Sequence, residues 1–289
     1  MKSVGIQVGR ADSPMNLAEI LSDRDFGLRM RFSKGDVASF FKPGASHDSL
    51  TAERRRWLAR ESHIYLALMP QGVDLLDETV KMAVDLRTLP GGESGETFAR
   101  LEPLERCRLL GELWEADFLL MKPDDEGVFR LYGGCVCFPS HWDLRQKIGR
   151  TMAEIHSPVP GLNETLGRQI DGFLSRIGPG VSWERSNWGL SRSPELNLHP
   201  SRDVPRLDAG VGLDEVWFRL EEQSLVALPA SGGILFGIRL VIRPMAEIKS
   251  DPAARQGMIR ALRTMPDAMA AYKGIAPARG RLLELMENE

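Results

Sequence analysis

The hydrophobic pattern changes period twice along the chain. From about Thr51 to Asp117 apolar residues recur at the three-to-four spacing of helices. Trp57, Ile64, Leu66 and Leu68 sit in a charged segment, and Val73, Leu76, Val80, Val84 and Leu86 form a second stripe. After the loop signal Leu89-Pro90-Gly91-Gly92, Leu104, Leu109, Leu113 and Trp114 form a third. From Phe118 to Met245 the pattern is that of strands. Phe118 to Met121 and Val128 to Tyr132 flank the turn Pro123 to Gly127, which predicts a hairpin. Val181 to Leu190 predicts a third strand, and Val216 to Val226 and Ile234 to Ile242 predict a second hairpin across Leu228-Pro229-Ala230-Ser231-Gly232-Gly233. Helices are expected between the strands at His141 to His156 and Asn163 to Ile177, and again after Ala253. Hairpins with intervening helices make an α+β fold with a mainly antiparallel sheet. The expected division is a mainly helical region at 1–117 packing on a core at 118–250, with a helical extension at 251–289.

Charge and composition then exclude several classes. The balance of 37 Lys+Arg against 40 Asp+Glu leaves a net charge of −3, and only 7% of residues are aromatic. Neither a phosphate-tracking surface nor a base-stacking platform follows from that, so no nucleic-acid partner is expected. Three cysteines, Cys107, Cys135 and Cys137, are too few for a disulfide framework or a four-thiolate cluster. Cys135 and Cys137, spaced two apart in an extended segment, share one face, as core thiols or as a ligand pair. Met1 to Met15 has no apolar signal region, and no stretch approaches about 18 uninterrupted apolar residues. A soluble, reduced, cytoplasmic protein without membrane contact is expected.

The segment Cys137 to Gly161, CFPSHWDLRQKIGRTMAEIHSPVPG, carries the most chemical information. Ser140 and Asp143 read as a helix start, and Leu144, Ile148, Met152 and Ile155 form an apolar stripe that His156 joins before Pro158 and Pro160 end the helix. An imidazole there is either hydrogen-bonded core filler or a ligand for a metal or haem iron. His141 shares that ambiguity, whereas His47, His63 and His199 lie in polar surroundings. No zinc-hydrolase, nucleophile-elbow, Walker or dinucleotide pattern occurs. Further along, Arg185 and Asn187 fall on one side of a strand, with Trp183 beside them, and Arg219, Glu221, Gln223 and Leu225 on one side of another. Such a face is either solvated or turned inward, and if inward Glu221 needs a cationic partner or a proton.

Four motifs in order resemble the haem-dependent oxidative N-demethylase family. They are Cys137-Phe138-Pro139-Ser140 with Trp142, then Lys147 and Gly149 with Ile155-His156 and Pro158-Val159-Pro160-Gly161, then Arg185 with Asn187-Trp188, then Arg219, Glu221, Gln223, Leu225 and Leu228-Pro229. A looser likeness extends to Trp114-Glu115-Ala116-Asp117 and the N-terminal helices. The resemblance implies a PAS-like, haem b-binding subunit with an added N-terminal helical layer. It implies monooxygenase chemistry that takes a small secondary methylamine, such as dimethylamine, to the shorter amine and formaldehyde. Electrons would come from NADPH through a separate reductase partner carrying FMN and a 2Fe–2S cluster, and tetrahydrofolate would accept the one-carbon unit. His156 becomes the axial iron ligand, with Arg219, Asn187, Trp188 and Lys147 as further cofactor-binding residues. Glu221, Arg185 and Gln223 form the catalytic set, Glu221 accepting from the dialkylammonium and Arg185 or Arg219 meeting the propionates or the oxygen site. The alternative within the same resemblance is a haem-binding PAS-type sensor or scaffold subunit without turnover.

Overall fold

The computed structural model describes residues 17–288, so the Met1 to Met15 segment lies outside the described residues. The strands are β1 (Ser33–Gly35), β2 (Leu66–Leu68), β3 (Asp117–Pro123), β4 (Phe129–Cys135), β5 (Ser182–Ser191), β6 (Trp217–Leu228) and β7 (Gly233–Pro244). They form one sheet of order β1-β5-β6-β7-β3-β4-β2 in which every neighbouring pair is antiparallel. With helices packed around it, the chain is α+β. Both expected hairpins are present. Asp124 closes the first by accepting from the amides of Glu126 and Val128, and Gly127 supplies the left-handed φ of 80° that the turn needs. The second is held by Glu78, whose carboxylate accepts from the amides of Ala230 and Ser231.

Side chains alternate across the sheet, so its two faces feed separate cores. Leu120 and Phe118 of β3 pack with the helices His47–Tyr65, Val73–Asp85 and Pro103–Leu113, through Leu58, Leu75, Leu76 and Leu110. Leu119 and Met121, one residue out of phase, pack with Leu131, Leu225, Phe236 and the helices Met152–His156 and Leu162–Leu174. A third core joins Phe218, Leu220 and Val241 to the C-terminal helices through Met258, Leu262 and Met269. Two buried carboxylates tie the first core together: Asp117 pairs with Arg54, and Glu115 pairs with Arg239.

Two local expectations fail for identifiable reasons. Leu66 and Leu68 are not helical. The helix ends at Tyr65, and Leu66–Leu68 pair as an edge strand with Gly133–Cys135. The long helix expected from His141 to His156 is broken into a 3-10 turn, Leu144–Gln146, and a short helix, Met152–His156. Asp143 does cap, but only the 3-10 turn. Gly149 then takes φ 77° and its neighbours dock on β4, with the Gly149 amide donating to Leu131 and the Leu131 amide donating to Arg150. Thr151 and Glu154 form a reciprocal capping box that restarts the helix. Pairing with the sheet therefore outcompetes helical continuity between Gly149 and Thr151.

Candidate functional site

The β5–β6 ladder brings the two polar strand faces into one. Arg185 lies opposite Gln223, Asn187 opposite Glu221, and Gly189 opposite Arg219. Beside this face is a cavity of about 680 Å³, bounded by β5, the segment 19–33, the helices Met152–His156 and Leu162–Leu174, and the Tyr272-Lys273 pair. That volume is within the roughly 300–1,000 Å³ of cofactor and ligand sites. Arg185, Asn187, Trp188, Gln223 and His156 all lie on its wall.

His156 is the last residue of its helix and reaches the cavity together with Met152, one turn earlier. Burial, with the charges of Lys147 and Arg185, pulls its pKa down to about 4. The imidazole is neutral at physiological pH, the state in which it can ligate a metal. Its ring makes no hydrogen bond with any described residue. Lys147 is not on the wall. Its Nζ donates to the Ile155 carbonyl at 3.3 Å and lies 5.5 Å from the Trp142 ring centroid, bracing the helix that presents His156.

Glu221 sits just behind the wall, accepting from Asn187 Nδ2 at 3.3 Å and from Gln223 Nε2 at 3.0 Å. Both amides are wall residues, so the carboxylate is oriented by neighbours that touch the cavity. Burial lowers the Arg185 pKa, and the Glu221 charge opposes that. Arg219 is turned elsewhere. It is buried off the wall, and its two terminal nitrogens donate to the carbonyls of Glu195 and Leu196 at 2.6 and 2.8 Å. Burial pulls its pKa down to about 10, against the pull of Glu221. Those two bonds brace the 195–196 backbone, while the buried Nε is left without a hydrogen-bond partner.

Lys273 and Tyr272 complete the wall and were not expected there. Burial pulls the Lys273 pKa down to about 8, with Glu221 opposing and Arg185 assisting the shift. In sequence these residues read only as the end of a helix before Gly274, which takes φ 68°. Helical periodicity holds no signal that this end is turned to a cavity.

A family model for the haem-dependent oxidative N-demethylase, alpha subunit-like, matches residues 88–283, more than half of the chain. The chain belongs to this family. The match spans every expected site residue, from Lys147 to Gln223, and Lys273 as well. Haem dependence and oxidative N-demethylation are the chemistry of the family. The donor set fits that cofactor. Haem iron needs from the protein only a ligating side chain, and a neutral imidazole on a cavity wall, as at His156, is of the kind that serves. Apolar wall residues (Met121, Leu166, Phe173, Leu225 and Phe236) provide the surface a porphyrin face requires.

Proposed function

We propose that this chain is the haem-binding, catalytic subunit of an oxidative N-demethylase acting on a small secondary methylamine of the dimethylamine kind. The observation that carries the reading is one cavity with a neutral, unpartnered imidazole on its wall and, behind the same wall, a carboxylate held by two amides. His156 would hold the iron of haem b, Arg185 would meet a propionate, and Asn187 and Trp188 would contact the cofactor from β5. Lys147 supports His156 through the Ile155 carbonyl, and Arg219 supports the 195–196 backbone. The core at 118–250 is read as PAS-like, with 1–117 as a helical layer on it and 251–289 as an extension.

When bound, the haem would supply dioxygen activation and oxygen insertion into a methyl C–H bond, the second oxygen atom leaving as water with two electrons and two protons. Those electrons would come from NADPH through a separate FMN and 2Fe–2S reductase. Glu221 accepts hydrogen bonds from the dialkylammonium and fixes which methyl group points into the cavity, and the Asn187 and Gln223 amides keep its oxygens from rotating. The hydroxymethyl amine then loses its O–H proton to a Glu221 carboxylate oxygen, the C–N bond breaks, and the same oxygen returns the proton to the departing nitrogen. Formaldehyde and the shorter amine are the products, with tetrahydrofolate as the one-carbon acceptor. The setting is read as cytoplasmic; no helix among the described residues is long and apolar enough to cross a membrane.

The test is direct. Titration with haemin is expected to give a Soret band that His156→Ala shifts or abolishes. The loaded protein is expected to release formaldehyde when given dimethylamine, dioxygen and a reductase system, and Glu221→Gln to raise the amine KM. A wild-type chain that takes up no haemin refutes the cofactor reading, and a loaded chain that releases no formaldehyde refutes the catalytic one.

A further inference from the structure

Two cationic side chains, Arg185 and Lys273, stand on the cavity wall, and the Glu221 carboxylate behind it closes an ion pair with neither. Lys273 Nζ donates to the Trp188 carbonyl at 2.6 Å and lies 5.3 Å from the Trp188 ring centroid. An ammonium carries three donors, and this spends one. Arg185 rests 5.8 Å from the Phe32 ring centroid and makes no hydrogen bond or ion pair with any described residue. Glu221 acts electrostatically on both cations, yet its carboxylate takes the Asn187 and Gln223 amides instead. Other acids on the wall have partners: Asp25 takes Arg260, and Glu184 takes the Ser182 hydroxyl. Arg24, Arg29 and Arg31 on the same wall are exposed, so water serves them. Arg185 and Lys273 are half-buried on the wall, so a ligand that fills the cavity takes them out of water, which is costly unless it brings an acceptor. Arg185 acts electrostatically on Lys273 across the same wall, and the donors both leave unused point to an anion placed between them.

We propose that Arg185 and Lys273 form a carboxylate-binding pair, with Lys273 as a ligand-positioning residue contributed by the C-terminal segment. The proposal rests on the haem and amine reading of this cavity. Two carriers present that chemistry: a haem propionate, or a carboxylate on the amine itself, whose ammonium Glu221 would take. Dimethylamine carries none and leaves the pair to the propionate.

Four probes separate the carriers on the full chain: haemin, its dimethyl ester, dimethylamine and N-methylglycine, each titrated against wild type, Lys273→Met and Lys273→Arg. Haem binding is read by absorbance and amine binding by calorimetry. A charge-assisted hydrogen bond predicts that Lys273→Met weakens the carboxylate-bearing probe roughly tenfold or more. Weakened haemin with an unchanged ester assigns the pair to a propionate. Weakened N-methylglycine with unchanged dimethylamine assigns it to the substrate. In either case Lys273→Arg restores most of the affinity. Equal loss for the charged and neutral members of a pair of probes, or wild-type affinity for all four, overturns the proposal. Failure of wild type to take haemin removes the haem reading, and the amine arm still tests the pair.

Discussion

Asp117→Asn tests the deepest electrostatic contact in the fold, and the size of its effect follows from burial. The Arg54 and Asp117 side chains are 0% and 3% exposed, with Arg54 Nη1 donating to Asp117 Oδ1 at 2.6 Å. Arg54 also donates from Nε to the Gly111 carbonyl and reaches Cys135 Sγ at 3.6 Å, so it cannot swing out to water. The Asp117 carboxylate accepts in addition from the amides of Cys137 and Phe138 at 2.7 and 3.0 Å, pinning the start of the segment that leads to His156. Replacing Asp117 by Asn keeps one acceptor oxygen, so only one of the two amides retains its partner, and it leaves the guanidinium buried without a counter-charge. Breaking a buried pair by removing one partner costs about 3–5 kcal/mol. At roughly 2–4 °C per kcal/mol for a large domain, the melting temperature should fall by roughly 6–20 °C. The assay is a thermal melt of wild type, Asp117→Asn, Arg54→Met and the double variant. Because Arg54→Met removes the stranded charge, the double variant should lose less than the sum of the single losses by at least about 1 kcal/mol. Strict additivity, or a shift under about 2 °C for Asp117→Asn, would show that the pair is not what holds this corner.

Three further outcomes are expected. Burial, with Arg206 and Arg219, pulls the His141 pKa down to about 4, below the ordinary value of 6.5, so the unfolded chain binds the proton first as pH falls. Stability from this site is complete above about 6.5 and is lost toward 4. His141→Asn, which tolerates the φ of 64° at this position, should therefore show a shallower loss of urea stability between pH 7 and pH 4.5; an unchanged slope would be evidence against the assignment. A Cβ at Gly257 would meet the Leu21 carbonyl, so Gly257→Ala should push the 21–22 backbone off the helix Pro252–Thr264 at a cost of about 1–3 kcal/mol, measured by denaturant unfolding. Cys107, Cys135 and Cys137 are buried, and burial raises the pKa of Cys107 and Cys137. A thiol reagent should label none of the three in the native chain and all three after unfolding.

How legible the fold was depended on which interaction decided each segment. The hairpins could be read because turn chemistry and period-2 alternation are local: Asp124 to Gly127, and Gly232 ahead of β7, act within a few residues. The long helix from His141 could not, because its interruption at Gly149 is decided by hydrogen bonds to Leu131, which lies outside any window that contains the helix. Leu66 and Leu68 failed for the same reason. An apolar residue in a short edge strand and one in a helix look alike until the partner, here Gly133–Cys135, is known. Cys135 and Cys137 did share a face as expected, with sulfurs 3.8 Å apart, since alternation along a single extended segment is enough to place them.

The same distinction applies at the site. Alternation alone put Arg219, Glu221, Gln223 and Leu225 on one side of β6, and Arg185 and Asn187 on one side of β5. Which of these reach the cavity depended on how the two strands register. Pairing Asn187 with Glu221 and Arg185 with Gln223 turns two separate polar faces into one bracket beside the cavity. That register also carries Arg219 two residues beyond the bracket, opposite Gly189, where the nearest acceptors are the carbonyls of Glu195 and Leu196. An arginine in the same alternation class as Glu221 therefore sends its two terminal nitrogens to the backbone, while Lys273, from a helix with no patterned link to the sheet, stands at the cavity. Periodicity sorts residues by face, but only the strand ends and the elements that cross them decide which part of a face is covered. That is why His156, at a helix end before two prolines, could be nominated through the motif resemblance, while nothing in the pattern pointed to Lys273.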